Sequence, residues 1–114
     1  MQKKNKKISK NEFRYNRTTK HMNYIFEEDD KYYRSLGLTK DSETFGLKNM
    51  PLTKNPQRNR NFNSYIRNGI ISQKKNSYSM KTDKRFNFLY DDYINVKSKI
   101  RKYKNSRKYK KNKH

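Results

Sequence analysis

The sequence predicts a mostly irregular, extended chain with one or two α-helices, over about 24–36 and 84–104, a short hairpin around 65–72, and no independent globular core. Three observations predict it. Hydrophobic residues make up 29% of the 114, ten of them are Tyr, and Val occurs once, as Val96. An independent domain of this size usually carries about 45% apolar residues to offset its chain entropy. The formal net charge is +21, with ten Lys/Arg and no Asp/Glu in residues 97–114 and eight against one in residues 1–20. Apolar residues recur at helical spacing in only two stretches. The isolated chain is therefore expected to be largely unfolded and to order against a partner.

Taken in order, residues 1–22 read as a basic N-terminal arm without helical periodicity. Residues 23–47 form a short helical segment: Ile25, Tyr32, Tyr33 and Leu36 share a face over 24–36, Glu27 precedes Lys31 and Asp30 precedes Arg34 at i,i+4, and Gly37 supplies a stop. The run Glu27-Glu28-Asp29-Asp30 has the look of a magnesium site, but four acids in a first helical turn are already explained by the helix dipole.

Residues 48–82 hold both prolines and no sustained period, and read as an extended basic segment that threads between RNA helices. Arg58, Arg60 and Phe62 lie on one side of such a chain, placing two guanidinium groups and a ring in line along a backbone. Asn68-Gly69, between Tyr65-Ile66-Arg67 and Ile70-Ile71-Ser72, has the pattern of a two-residue hairpin turn.

Residues 83–114 read as an amphipathic helix with a basic tail. Leu89, Tyr93, Val96, Ile100 and Tyr103 form a stripe at spacings of four, three, four and three. That stripe is expected to pack against another protein or the chain's own first helix, since it is too short for a coiled coil.

The charge points to a polyanionic partner. Residues 48–85 hold ten basic groups and one acid, Asp83, whereas residues 21–47 hold three basic and six acidic groups. Lys, Asn, Ile, Tyr and Phe together supply 60 of 114 residues and Ala is absent, a bias toward A/T codons typical of organellar and some parasite genomes.

Catalysis has little to work with. Cysteine is absent, His21 and His114 are isolated, and there is no Gly-rich phosphate loop, so neither enzyme nor cofactor is expected. No apolar run approaches the roughly 18 residues of a membrane span. Only Met1, Ile8, Phe13 and Tyr15 are apolar in the first 20 residues, too few for an import helix, so synthesis in the compartment of action is expected.

The stretch Pro51-Leu52-Thr53-Lys54-Asn55-Pro56-Gln57-Arg58-Asn59-Arg60-Asn61 has the spacing P-x4-P-x-R-x-R-N. It resembles the signature of the small-subunit ribosomal protein fourteen family, with Lys74-Lys75 and Ser79 in register with that family's basic pair and following serine. The resemblance implies a protein of the small-subunit head, bound to ribosomal RNA among neighbouring ribosomal proteins. It implies phosphate contacts for Arg58, Arg60, Lys74 and Lys75, an extended chain held by Pro51 and Pro56, and polar contacts for Asn61 and Ser79. The zinc ribbon that members often carry is excluded here by the absence of cysteine.

The expected function is a structural, ribosomal-RNA-binding protein of the mitochondrial small subunit, without a small-molecule substrate. The expected RNA contacts are Arg58, Arg60, Asn61, Arg67, Lys74, Lys75, Arg101, Lys102, Lys104, Arg107, Lys108, Lys110 and Lys111. Two alternatives share the composition: an accessory subunit of an organellar membrane complex, and a nucleic-acid-compacting basic protein. The location is correspondingly another AT-rich organelle or the cytosolic ribosome.

Overall fold

In the computed structural model, residues 12–112 are described, with side chains for 12–107. The chain is mostly β. Strands β1 (Phe13–Asn16), β2 (His21–Glu28) and β3 (Tyr32–Thr39) form an antiparallel meander. Short strands β4 (Glu43–Thr44) and β5 (Leu47–Lys48) make a separate hairpin, and β6 (Met50–Pro51), β7 (Tyr65–Ile66) and β8 (Ile71–Lys74) complete a six-stranded antiparallel sheet. A 3-10 turn (Lys75–Ser77) follows, and the last element among the described residues is the one α-helix they contain, α1 (Tyr90–Asn112).

The expectation of a mostly irregular chain without a core is thus overturned. The radius of gyration is 14.2 Å. A compact chain of this length has about 13 Å and an unfolded one about 34 Å.

The core explains why a low apolar fraction suffices. One face of the sheet presents Phe13, Tyr24, Leu36, Leu38 and Ile66, and α1 lays Val96 and Ile100 over it, with Phe86 and Phe88 wedged alongside. Phe13, Tyr24 and Phe88 meet with ring centroids 4.9 to 5.2 Å apart. Aromatic rings bury about 150–250 Å² each, so a few of them fill a volume that would take many aliphatic residues.

Residues 24–36 are not a helix. Tyr24-Ile25-Phe26 and Tyr33-Arg34-Ser35-Leu36 lie in adjacent strands, and the acids between them make the turn: Asp29 Oδ1 accepts the N–H groups of Lys31 and Tyr32 at 3.0 and 2.9 Å. An Asx turn of this kind reverses the chain where a helix would have continued. Gly37, read as a helix stop, sits buried inside β3. A Cβ there would stand 3.1 Å from Asn23 Nδ2 and 3.3 Å from Ile71 Cδ1, so glycine lets the buried asparagine approach β3 closely without displacing either side chain.

The hairpin expected around 65–72 is also corrected. Strands β7 and β8 do not pair with each other; both run antiparallel along the same edge of β3, with Leu38 opposite Ile66 and Ser35 opposite Ile71. Asn68-Gly69 is the crest of the bulge that interrupts this edge, with Gly69 at φ +86°. The second face of the sheet is polar and buried. Asn16 Nδ2 donates to Asn23 Oδ1 at 2.7 Å, and the Ser35 and Tyr78 hydroxyls are 2.8 Å apart. Segment 77–83 runs along the free edge of β1, with Ser79 N–H donating to Tyr15 O and Asp83 N–H to Phe13 O, both at 2.8 Å, and sends the Tyr78 ring onto that second face beside Ser35 and Tyr33.

The stripe on the C-terminal helix packs on this sheet, not on a first helix or a second protein. Val96 and Ile100 are buried, Tyr93 and Tyr103 pack against the core, and Leu89 lies one residue before α1 and is 40% exposed. The helix starts at Tyr90, later than residue 84, because residues 85–88 are extended: Phe86 bridges to Gln57 and Phe88 enters the core.

Candidate nucleic-acid interface

The excursion between β6 and β7, residues 52–63, carries Lys54, Arg58 and Arg60 and no acid. A basic loop of twelve residues would ordinarily be mobile. Here it is pinned along its length. Leu52 N–H donates to Ser64 O at 3.0 Å, closing its base. Asn55 Oδ1 accepts Gln57 N–H at 2.8 Å and Asn55 Nδ2 donates to Phe62 O at 3.1 Å, tying the loop to itself. Asn87 N–H donates to Pro56 O and Arg58 N–H to Arg85 O, at 2.9 and 2.8 Å.

The firmest restraint comes from Asp92 in the first turn of α1. Its side chain is buried, and its two carboxylate oxygens accept Thr53 N–H at 2.9 Å and Lys54 N–H at 3.1 Å. A carboxylate there also suits the helix N-terminus. The contact joins residues 39 positions apart, so it leaves no local pattern in the sequence.

At the crest of the loop, Gln57-Arg58-Asn59-Arg60 turns sharply, with Arg60 N–H donating to Gln57 O at 3.2 Å and Asn59 at φ +67°. Asn tolerates that left-handed conformation better than most residues. Arg58 and Arg60 therefore flank a turn, rather than lying in line along an extended strand as expected. Both are exposed, and neither guanidinium has an ion-pair or hydrogen-bond partner among the described residues. Asn61 and Phe62 are exposed beside them, with Lys40 Nζ 5.5 Å from the Phe62 ring centroid. Lys84 and Arg85, absent from the expected set, join this region through the Arg58–Arg85 backbone bond.

The other expected RNA contacts are scattered. Lys74 lies opposite Tyr32 in β3, whereas Tyr65, just after the loop, lies opposite Thr39, seven residues or about 24 Å along the strand. Lys74 is exposed; Lys75 pairs with Glu28 at 3.3 Å and stands 5.3 Å over the Tyr33 ring. Arg101 and Lys102 are exposed on α1. Arg107 grips Glu27 through both terminal nitrogens at 3.1 and 3.2 Å, with half-buried Lys104 close by. The side chains of Lys108, Lys110 and Lys111 lie outside the described residues, as does most of the basic N-terminal arm, residues 1–11. Ser79, to which the resemblance gives a polar contact, uses its hydroxyl within the chain: Oγ accepts Tyr15 N–H and donates to Lys81 O.

The acids are mostly spent on structure. Glu27 and Glu28 point to different sides and pair with Arg107, Arg34 and Lys75, Asp29 closes its turn and pairs with Arg34, and Asp83 pairs with Arg85 at 2.7 Å. The run 27–30 is therefore a β-turn and its flanks, not a cluster around a common point. Burial raises the Glu27 carboxyl pKa, but the hydrogen bond from Arg107 and the charges of Arg107, Lys104 and Arg34 more than offset this and hold it below its ordinary value.

Loop Thr44-Phe45-Gly46-Leu47 at the tip of the β4–β5 hairpin is a second exposed feature, one that the sequence reading passed over. Phe45 and Gly46 both have positive φ, 54° and 76°, the geometry of a two-residue hairpin turn. Gly suits it. A phenylalanine in the left-handed region costs on the order of 1–3 kcal/mol, and this one is 88% exposed. Compared with known protein families, with curated proteins and with solved structures, the chain has no match.

Proposed function

We propose that this protein is a structural RNA-binding component of a ribosome, seated in the small subunit of the mitochondrial ribosome. The observation that carries the proposal is the acid-free loop 52–63, which a buried carboxylate and the flanking backbone hold by hydrogen bonds while the Arg58 and Arg60 guanidinium groups have no partner among the described residues. Phosphate contacts dominate RNA affinity, and guanidinium groups suit them because they donate in a planar fork. A loop ordered before binding loses little entropy when it docks.

The choice of the small subunit rests on the resemblance carried by Pro51–Asn61. The choice of mitochondrion rests on the A/T-biased composition. Neighbouring ribosomal proteins are the second class of partner, and among the described residues no helix is long and apolar enough to cross a membrane.

Sedimentation tests the proposal. A tagged copy should travel with small subunits through a gradient and leave them when the RNA is digested. Sedimentation with membranes that persists after nuclease treatment would support the accessory-subunit alternative and end the ribosomal one.

A further inference from the structure

The strained, solvent-facing ring of Phe45 is a large side chain in a place where folding alone favours Asn, Asp or Gly. The hairpin beneath it is built to hold it there. Asn49 Nδ2 donates to Asp41 O at 2.9 Å and to Thr44 Oγ1 at 2.8 Å, and Asn49 N–H donates to Ser42 O at 2.8 Å. From the β7–β8 bulge, Asn68 donates its backbone N–H and its Nδ2 to Asn49 Oδ1, both at 2.8 Å. Asn68 Nδ2 also reaches the Thr44 and Leu47 carbonyls at 3.3 and 3.2 Å. Two buried or half-buried amides thus fix both strands of a six-residue hairpin, Glu43–Lys48, whose outward product is one exposed ring.

The charge around the ring selects its partner. Arg67, from the same bulge, places its guanidinium 5.5 Å from the Phe45 ring centroid. Of the two acids before the tip, Glu43 lies directly opposite Lys48 across the hairpin and Asp41 lies at its base, so the cation at the ring itself is Arg67, from the acid-free stretch 48–82. A ring beside a guanidinium, on a chain of +21, suits a flat, electron-rich group carried on a polyanion. We infer that Phe45, supported by Arg67, is a stacking platform for an unpaired RNA base. The inference rests on the RNA-binding reading above and adds to it a second contact, specific for single-stranded RNA, at a site separate from the Arg58–Arg60 turn.

The chain contains no Trp, so Phe45→Trp installs a single reporter at the tip. Titrated with a single-stranded 12-mer of uridine, full-length Phe45→Trp should show quenched indole emission and retain wild-type affinity. A blunt RNA duplex with the same number of phosphates should quench it little. Phe45→Asn relieves the backbone strain and keeps the turn, so it should fold at least as well as wild type. It should nonetheless bind the single strand about tenfold more weakly, the loss of one base–aromatic stack. Its duplex affinity and its salt slope should not change, because no phosphate contact is removed. Wild-type affinity of Phe45→Asn for the single strand would overturn the stacking platform and leave the ring as a protein contact. An equal loss on single strand and duplex would overturn it as well. Failure of the wild-type chain to bind either RNA in a salt-dependent way would instead strike the RNA-binding reading itself.

Discussion

Asp92 shows how one side chain makes a basic loop usable. Its carboxylate accepts two backbone N–H groups from residues 53 and 54 while sitting in the first turn of α1, so the helix N-terminus and the loop share a single anion. Replacing it leaves two donors without their acceptor. Asp92→Ala should destabilise the fold by about 3–6 kcal/mol, the scale of two charge-assisted hydrogen bonds at about 1.5–3 kcal/mol each, read as a lowered midpoint in urea. Asp92→Asn, which retains one acceptor oxygen, should lose less. If both variants unfold at the wild-type midpoint, the clamp contributes nothing. None of this was legible from the sequence, because the carboxylate and the amides it holds are 38 and 39 positions apart. Arg58 and Arg60 were legible, because charge in an acid-free stretch is a local property, although their placement on either side of a turn depended on Asn59 and on the partner segment 85–87.

At the scale of elements, the tether between β2 and α1 is the ion pair of Glu27 with Arg107. The folded Glu27 carboxyl lies below its ordinary value of 4.5. Its contribution is therefore complete above about pH 4.5 and is lost as the pH falls through the lowered value of the folded state. Asp29 is lowered by the N–H groups of Tyr32 and Lys31, and Asp83 by the Arg85 hydrogen bond, both from an ordinary value of 3.8, so they add to the same acid-side loss. Urea unfolding should be one cooperative transition whose midpoint falls as the pH drops below about 4.5, and Glu27→Gln should flatten the first part of that fall. A midpoint that rises toward low pH would contradict the assignment. The helix itself was readable because Tyr93, Val96, Ile100 and Tyr103 recur at spacings of three, four and three, which only a helix brings to one face. The strands were not. Alternation is hidden when both faces are buried, and Asn16, Asn23 and Ser35 fill the second face with polar groups that look solvent-facing in a sequence. The acidic run after Tyr24-Ile25-Phe26 completed the misreading, since acids at a turn and acids in a first helical turn look alike.

The whole molecule combines a small aromatic core with an excess of positive charge that the core does not need. Counting apolar residues undervalued Phe13, Tyr24, Phe86 and Phe88, whose rings fill the space between sheet and helix, and so suggested a chain that folds only on its partner. A chain that folds by itself presents its cations in fixed places, and position then matters as well as number. The most direct measurement is the salt dependence of binding to a structured RNA of mixed duplex and loop, for wild type and two double variants. Arg58→Ala with Arg60→Ala should weaken binding and reduce the slope of log K against log salt by about 1.4 to 1.8, the counterions released by two phosphate contacts. Lys31→Ala with Lys81→Ala removes the same charge from exposed positions outside the loop and should leave the slope close to wild type. Equal losses from the two pairs would contradict the account, leaving a folded polycation with no preferred face.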